Sequence, residues 1–111
     1  MIRVERGPDR AAVRLAGDLD IAAYEPVVTE LLRLERQRPS LLVIDLRDLD
    51  FMDSTGARLL VEAEERARDQ RRSLIVVVGR GGPRRVIELL ELGALLAITD
   101  EEPGAADAKT A

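Results

Sequence analysis

The sequence predicts an α/β domain with a mixed, mostly parallel sheet of about five strands and helices packed against it. Strand-like and helix-like periodicities alternate along the chain. Two nearly continuous apolar runs, Leu41 to Leu46 and Leu74 to Val78, suit the strands of a parallel sheet covered on both faces. A length of 111 residues suits one domain around one core.

The first strand is read from Ile2 and Val4 alternating with Arg3 and Glu5. Gly7-Pro8-Asp9 is a turn signal, and Val13 and Leu15, flanking Arg14, mark a second strand that runs to about Ala16. This opening hairpin makes the sheet mixed. Gly17-Asp18-Leu19-Asp20 closes the strand, and a helix of roughly Tyr24 to Arg36 follows, with Pro26 placed in its first turn. Val27, Val28, Leu31, Leu32 and Leu34 give it a broad apolar face.

After the Leu41–Leu46 strand, Arg47 to Phe51 leads into Met52-Asp53-Ser54-Thr55-Gly56 and a helix of roughly Thr55 to Gln70. Its inward stripe is Ala57, Leu60, Val61, Ala63 or Glu64, and Ala67. Arg58–Glu62 and Glu62–Arg66 form opposite-charge pairs at i,i+4 on its outer side. The Leu74–Val78 strand turns through Gly79 to Gly82 into a helix with Pro83 at its first position, Val86, Ile87, Leu89 and Leu90 on its apolar face and Gly93 as its stop. Leu95 to Thr99 reads as a short edge strand. The domain spans 1–99; residues 100–111 read as an acidic, apolar-poor, disordered tail.

Composition excludes several functions. There is no Cys and no His, which removes Ser-His-Asp and Cys-His nucleophile systems, disulfides and the usual zinc sites. The net charge is −4 and the arginines are scattered, so a nucleic-acid backbone is not attracted overall. Aromatics are 2% of the chain, Tyr24 and Phe51, too few for a base-stacking platform. No apolar run approaches a membrane span, and the N-terminus lacks a signal-peptide h-region. A cytoplasmic protein is expected, without cofactor or metal. Sixteen of the seventeen basic residues are Arg, with Lys109 the exception, as a GC-rich bacterial genome would favour.

The most informative stretch is Phe51-Met52-Asp53-Ser54-Thr55-Gly56, between a buried strand and an amphipathic helix. Asp53 or Ser54 suits the N-cap, where a side-chain oxygen accepts orphan amides of the first turn. A helix start also favours an anion, so a phosphate on Ser54 would sit in a favourable field. It would add about −1.5 to −2 charges beside Asp53.

Phe-Met-Asp-Ser-Thr-Gly resembles the phosphorylation motif of the STAS family, notably its anti-sigma factor antagonists. Leu15-Ala16-Gly17-Asp18-Leu19-Asp20 is similar to the family's Leu-x-Gly-(Asp/Glu)-Leu-Asp at the end of the second strand. Both motifs lie in register with the predicted fold, and the resemblance covers roughly residues 2 to 99. It implies partner switching. The unphosphorylated antagonist binds an anti-sigma factor that is also a GHKL-type serine kinase, which frees a sigma factor. The kinase then phosphorylates Ser54, and a metal-dependent serine phosphatase reverses the step. Thr55 is a secondary acceptor by the same resemblance. Asp53 and Asp20 are carried over as acidic neighbours, and Gly56 and Arg58 as residues of the partner-binding region. The sequence departs from the family where relatives often have Thr-Ala-Pro; here Ala23-Tyr24-Glu25-Pro26 lacks the hydroxyl, which would weaken that helix cap by about 1 kcal/mol. Ala57 and Arg58 differ from the Leu or Ile common after the glycine.

Enzyme readings fit poorly. The Asp18-Leu19-Asp20 segment faintly resembles a haloacid dehalogenase-type phosphatase opening, but Ala22 stands where Thr or Val is needed and the lone Lys is in the tail. A response-regulator reading of Asp45 or Asp53 lacks the N-terminal acidic cluster for Mg²⁺ and a lysine at the sheet's end. Gly79 to Gly82 lacks the Gly-Lys-Ser/Thr of a P-loop. Within the family, the alternative is a STAS scaffold or adaptor in a stress-signalling or lipid-transport complex.

Overall fold

The computed structural model describes residues 1–104. The elements follow as β1 (Ile2–Arg6), β2 (Arg10–Leu19), α1 (Ile21–Glu35), β3 (Leu41–Met52), α2 (Ser54–Asp69), β4 (Ser73–Val77), α3 (Gly82–Leu89), a 3₁₀ turn (Leu92–Ala94) and β5 (Ala97–Thr99). The sheet order is β1-β2-β3-β4-β5, with β1 antiparallel to β2 and every other pair parallel. The α/β class and the mixed, mostly parallel sheet are as expected.

Each parallel connection steps one strand in the same direction. With a uniform crossover hand, that places all three helices on one face of the sheet. The packing agrees. Val13, Leu15, Leu42, Ile44, Leu46, Leu74 and Val76 join Leu31 and Leu34 of α1, Leu59, Leu60 and Ala63 of α2, and Ile87 of α3 in one aliphatic core. The opposite face holds a smaller cluster of Ala12, Leu41, Val43 and Val77. The two apolar runs were expected to be covered on both faces; the helices cover one, and the chain's own residues after β5 cross the other.

On that face Asp45 is buried among cations. Arg47 donates to it at 2.7 Å and Arg14 at 3.1 Å, and the Arg47 amide adds a bond of 3.0 Å. Burial alone would raise the Asp45 pKa, but the two guanidiniums and the amide outweigh it and hold the carboxyl below its ordinary range. Glu102 reaches the same group, 3.4 Å from Arg14 and 3.8 Å from Arg47, and pairs with Arg10 at 3.3 Å. Arg10 also donates to the Pro103 carbonyl at 2.7 Å. Asp100 to Pro103, read from sequence as the start of a disordered tail, is thus a strap running from the β5 edge back to β2. Residues 105–111 of the expected tail lie outside the described residues.

Several boundaries differ from the sequence reading, each for a local reason. β2 does not stop at Ala16, because Gly17 takes a positive φ of 92° and two register shifts against β3 let the strand bend onward to Leu19. β3 runs to Met52 rather than Leu46. α1 begins at Ile21, three residues early, since Asp20 caps it; Pro26 consequently lies inside the helix rather than in its first turn. α3 ends at Leu89, before Gly93, because Glu91 adopts the left-handed conformation at φ 54°. The i,i+4 pairs at Glu62 do not form. Arg66 instead bonds Glu35 of α1 at 2.8 and 3.0 Å, and Glu62 accepts from the Tyr24 hydroxyl.

Candidate functional site

The carboxyl ends of β2 and β3 lie side by side. Leu19 pairs with Met52, and the Asp53 amide donates to the Leu19 carbonyl at 3.4 Å. Each strand therefore hands over to a helix at the same level, through Asp20 into α1 and Asp53 into α2. The caps are alike. Asp20 accepts from the Ala22 and Ala23 amides at 3.1 and 3.2 Å, and Asp53 from the Thr55 and Gly56 amides at 2.9 and 3.4 Å. Both carboxylates sit where the helix dipole stabilises negative charge. The cap of α1 is thus supplied by Asp20, and the missing hydroxyl near Ala23 costs nothing.

The choice between Asp53 and Ser54 as cap falls to Asp53. Ser54 is the first residue of α2, it is exposed, and its hydroxyl has no hydrogen-bond partner among the described residues. Thr55 beside it is partly buried. Gly56 is buried; a Cβ there would collide with Met52 Cγ and stand 3.1 Å from Leu19 side-chain atoms. Its small size lets α2 start directly against the joined strand ends.

Arg58, placed from sequence on the outer side of α2, has its guanidinium 4.7 Å from the centroid of the Tyr24 ring. That stacking is worth about 0.5–1 kcal/mol at an exposed site. The Tyr24 hydroxyl donates to Glu62, which together with burial raises the phenol's pKa. Arg58, Tyr24 and Glu62 thus tie the start of α1 to the first half of α2. Two apolar side chains at this end are exposed: Ile21 (79%), directly after Asp20, which sequence reading missed, and Phe51 (49%), which opens the motif but was given no role there. The available signal for Phe51 was an aromatic within the motif in a chain that has only two. Among the described residues no cluster of carboxylates able to hold a metal occurs, and no helix is long and apolar enough to cross a membrane.

Two aspartate-capped helix starts thus stand at the carboxyl end of a one-sided α/β sheet, with the exposed Ser54 opening the second helix. A STAS domain family model matches residues 1–105, and the chain belongs to that family. Its structure is similar to that of an anti-sigma factor antagonist from Mycobacterium paratuberculosis (24% identity, TM-score 0.83, covering 99% of this chain and 91% of that one). It also resembles the anti-sigma factor antagonist SpoIIAA of Bacillus in its unphosphorylated form (21%, 0.76, 91% and 90%). A third likeness is to a glutamate-for-serine variant of RsbS from Moorella thermoacetica (22%, 0.77, 98% and 95%). At these identities the likeness is one of fold. No curated protein matches the sequence.

Proposed function

We propose that the chain is an anti-sigma factor antagonist, acts by binding rather than catalysis, and works in the cytoplasm. Unphosphorylated, it binds an anti-sigma factor that is also a GHKL-type serine kinase, and a sigma factor is released. The kinase transfers the γ-phosphoryl group of ATP to Ser54: the Ser54 Oγ–P bond forms, the bond to the departing ADP breaks, and the hydroxyl proton leaves. A metal-dependent serine phosphatase hydrolyses the phosphate and restores binding.

The observation that carries the reading is the uncommitted, exposed hydroxyl of Ser54. A serine needed only as a helix cap would accept the first-turn amides, and Asp53 already does so. Ile21 and Phe51 supply apolar contact area at the same end as the caps Asp20 and Asp53. A partner docked there meets a largely preformed surface, and a phosphate placed in it adds about −1.5 to −2 charges beside two carboxylates. Like charge and steric bulk at a docked centre act on the bound state more than on the fold.

The test is phosphosite mapping after incubation with ATP and host lysate. Phosphate is expected on the peptide carrying Ser54, and its loss in Ser54→Ala identifies the acceptor. Phosphate on Thr55 alone, or on neither residue, would remove the switch and leave a STAS scaffold or adaptor.

A further inference from the structure

Asp53 consumes the Thr55 and Gly56 amides, at 2.9 and 3.4 Å. A phosphate on Ser54 therefore cannot be cradled by these donors, as the motif alone suggested. It would stand among carboxylates instead: Asp53 on its own helix, Asp20 at the start of α1, and the exposed Asp18 and Asp50 on the adjoining strands. Such a group needs a cation, and α2 places one a turn away. Arg58 is four residues beyond Ser54, both are exposed, and i,i+4 residues share a helix face. Helical side chains lean toward the N-terminus, so a long side chain at 58 reaches back over position 54. Among the described residues no carboxylate lies within ion-pair distance of Arg58, in contrast to Arg66 and Arg68 on the same helix. Its one recorded contact is the Tyr24 ring.

We propose that Arg58 is the intramolecular receptor for a phosphate on Ser54, drawn from the Tyr24 ring when the phosphate arrives. The inference deepens the phosphoserine reading and rests on it. A guanidinium pairs with a phosphate through two charge-assisted hydrogen bonds, which outcompete an exposed cation–π contact. Modification at 54 is then felt in α1 as well as α2: Tyr24 loses the cation over its face while keeping its hydroxyl on Glu62. Arg58 is a positioning residue in this scheme, holding the phosphate against the face the partner would occupy.

The test uses the full chain with phosphoserine installed at position 54 during synthesis, so it needs no kinase and stands apart from the question of whether the cell modifies Ser54. The second pKa of the phosphate is followed by phosphorus NMR in the parent, Arg58→Gln and Arg58→Lys. Asp18, Asp20, Asp50, Asp53, Glu62 and Tyr24, and Arg80 and Arg85 around the start of α3, are common to all three and cancel in the comparison. Arg58→Gln is expected to raise that pKa by about half a unit, and Arg58→Lys to restore most of the difference. Tyr24 is the only tyrosine and there is no Trp, so its fluorescence should change on going from serine to phosphoserine in the parent and stay unchanged in Arg58→Gln. An identical phosphate pKa in parent and Arg58→Gln would overturn the proposal. So would a Tyr24 signal that ignores the phosphate.

Discussion

At the residue scale, the start of α2 depends on a division of labour between neighbours. Asp53 caps, Gly56 lets the helix in, and Ser54 is left free. Gly56→Ala tests the second of these. Alanine favours a helix over glycine by about 1 kcal/mol, but the new methyl drives into Met52 and Leu19, and overpacking of this kind costs about 1–3 kcal/mol. A net loss of stability in urea unfolding is expected, with the start of α2 displaced from the strand ends; a more stable variant would show that the strand ends yield to α2. The motif's residue types were legible from sequence, but their roles were not. Asp and Ser both suit an N-cap, and only the backbone at Asp53, extended at φ −109° and ψ −167°, shows which one turns its oxygen to the amides. Arg58 was legible as an outward residue, whereas its seat over Tyr24 requires knowing how α1 crosses α2.

At the element scale, strand and helix identities followed from periodicity and their ends did not. Helix α1 starts early because Asp20 is bonded to its first amides, and β2 passes Gly17 because glycine tolerates positive φ there. Both are decided by tertiary pairing with β3, which periodicity cannot see. The strap after β5 was missed for the same reason: Asp100 to Pro103 is polar and reads as tail, yet three arginines on β2 and β3 await its carboxylate. Those pairs are partly exposed, so Glu102→Gln should change global stability by less than about 1 kcal/mol. Hydrogen exchange should quicken at Thr99 to Glu102, and more so at low salt, where the parent's pairs are least screened. Unchanged protection would mean that the Pro103 carbonyl, the Arg84–Asp100 pair and the Thr99–Glu101 bonds hold the strap without Glu102. Asp45 beneath it predicts an acid limit. Its carboxyl titrates below the ordinary value of about 3.9, so its contribution is complete above that pH and is lost as pH falls through the lowered native value. The parent should therefore lose stability steeply below about pH 4, and Asp45→Asn, less stable at neutral pH, should lose less on acidification. Equal acid slopes would place the effect elsewhere.

At the scale of the whole molecule, the sheet order explains why both motifs and both aspartate caps gather at one end. Successive crossovers in one direction place every helix on one face and bring the carboxyl ends of β2 and β3 together, each opening into a helix capped by aspartate. The two sequence motifs, more than thirty residues apart, meet there because β2 and β3 are adjacent and parallel. The chain carries a net charge of −4, and Asp18, Asp20, Asp50 and Asp53 already stand at this end, so a phosphate there adds to an existing negative field. The most direct measurement is a quantitative pull-down from host lysate with the parent, Ser54→Ala and Ser54→Asp as baits, read by mass spectrometry. The account predicts that one GHKL-type kinase is retained by the parent and by Ser54→Ala and falls at least about tenfold with Ser54→Asp, a loss of about 1.4 kcal/mol or more. Equal retention of the same partners by all three baits would contradict it.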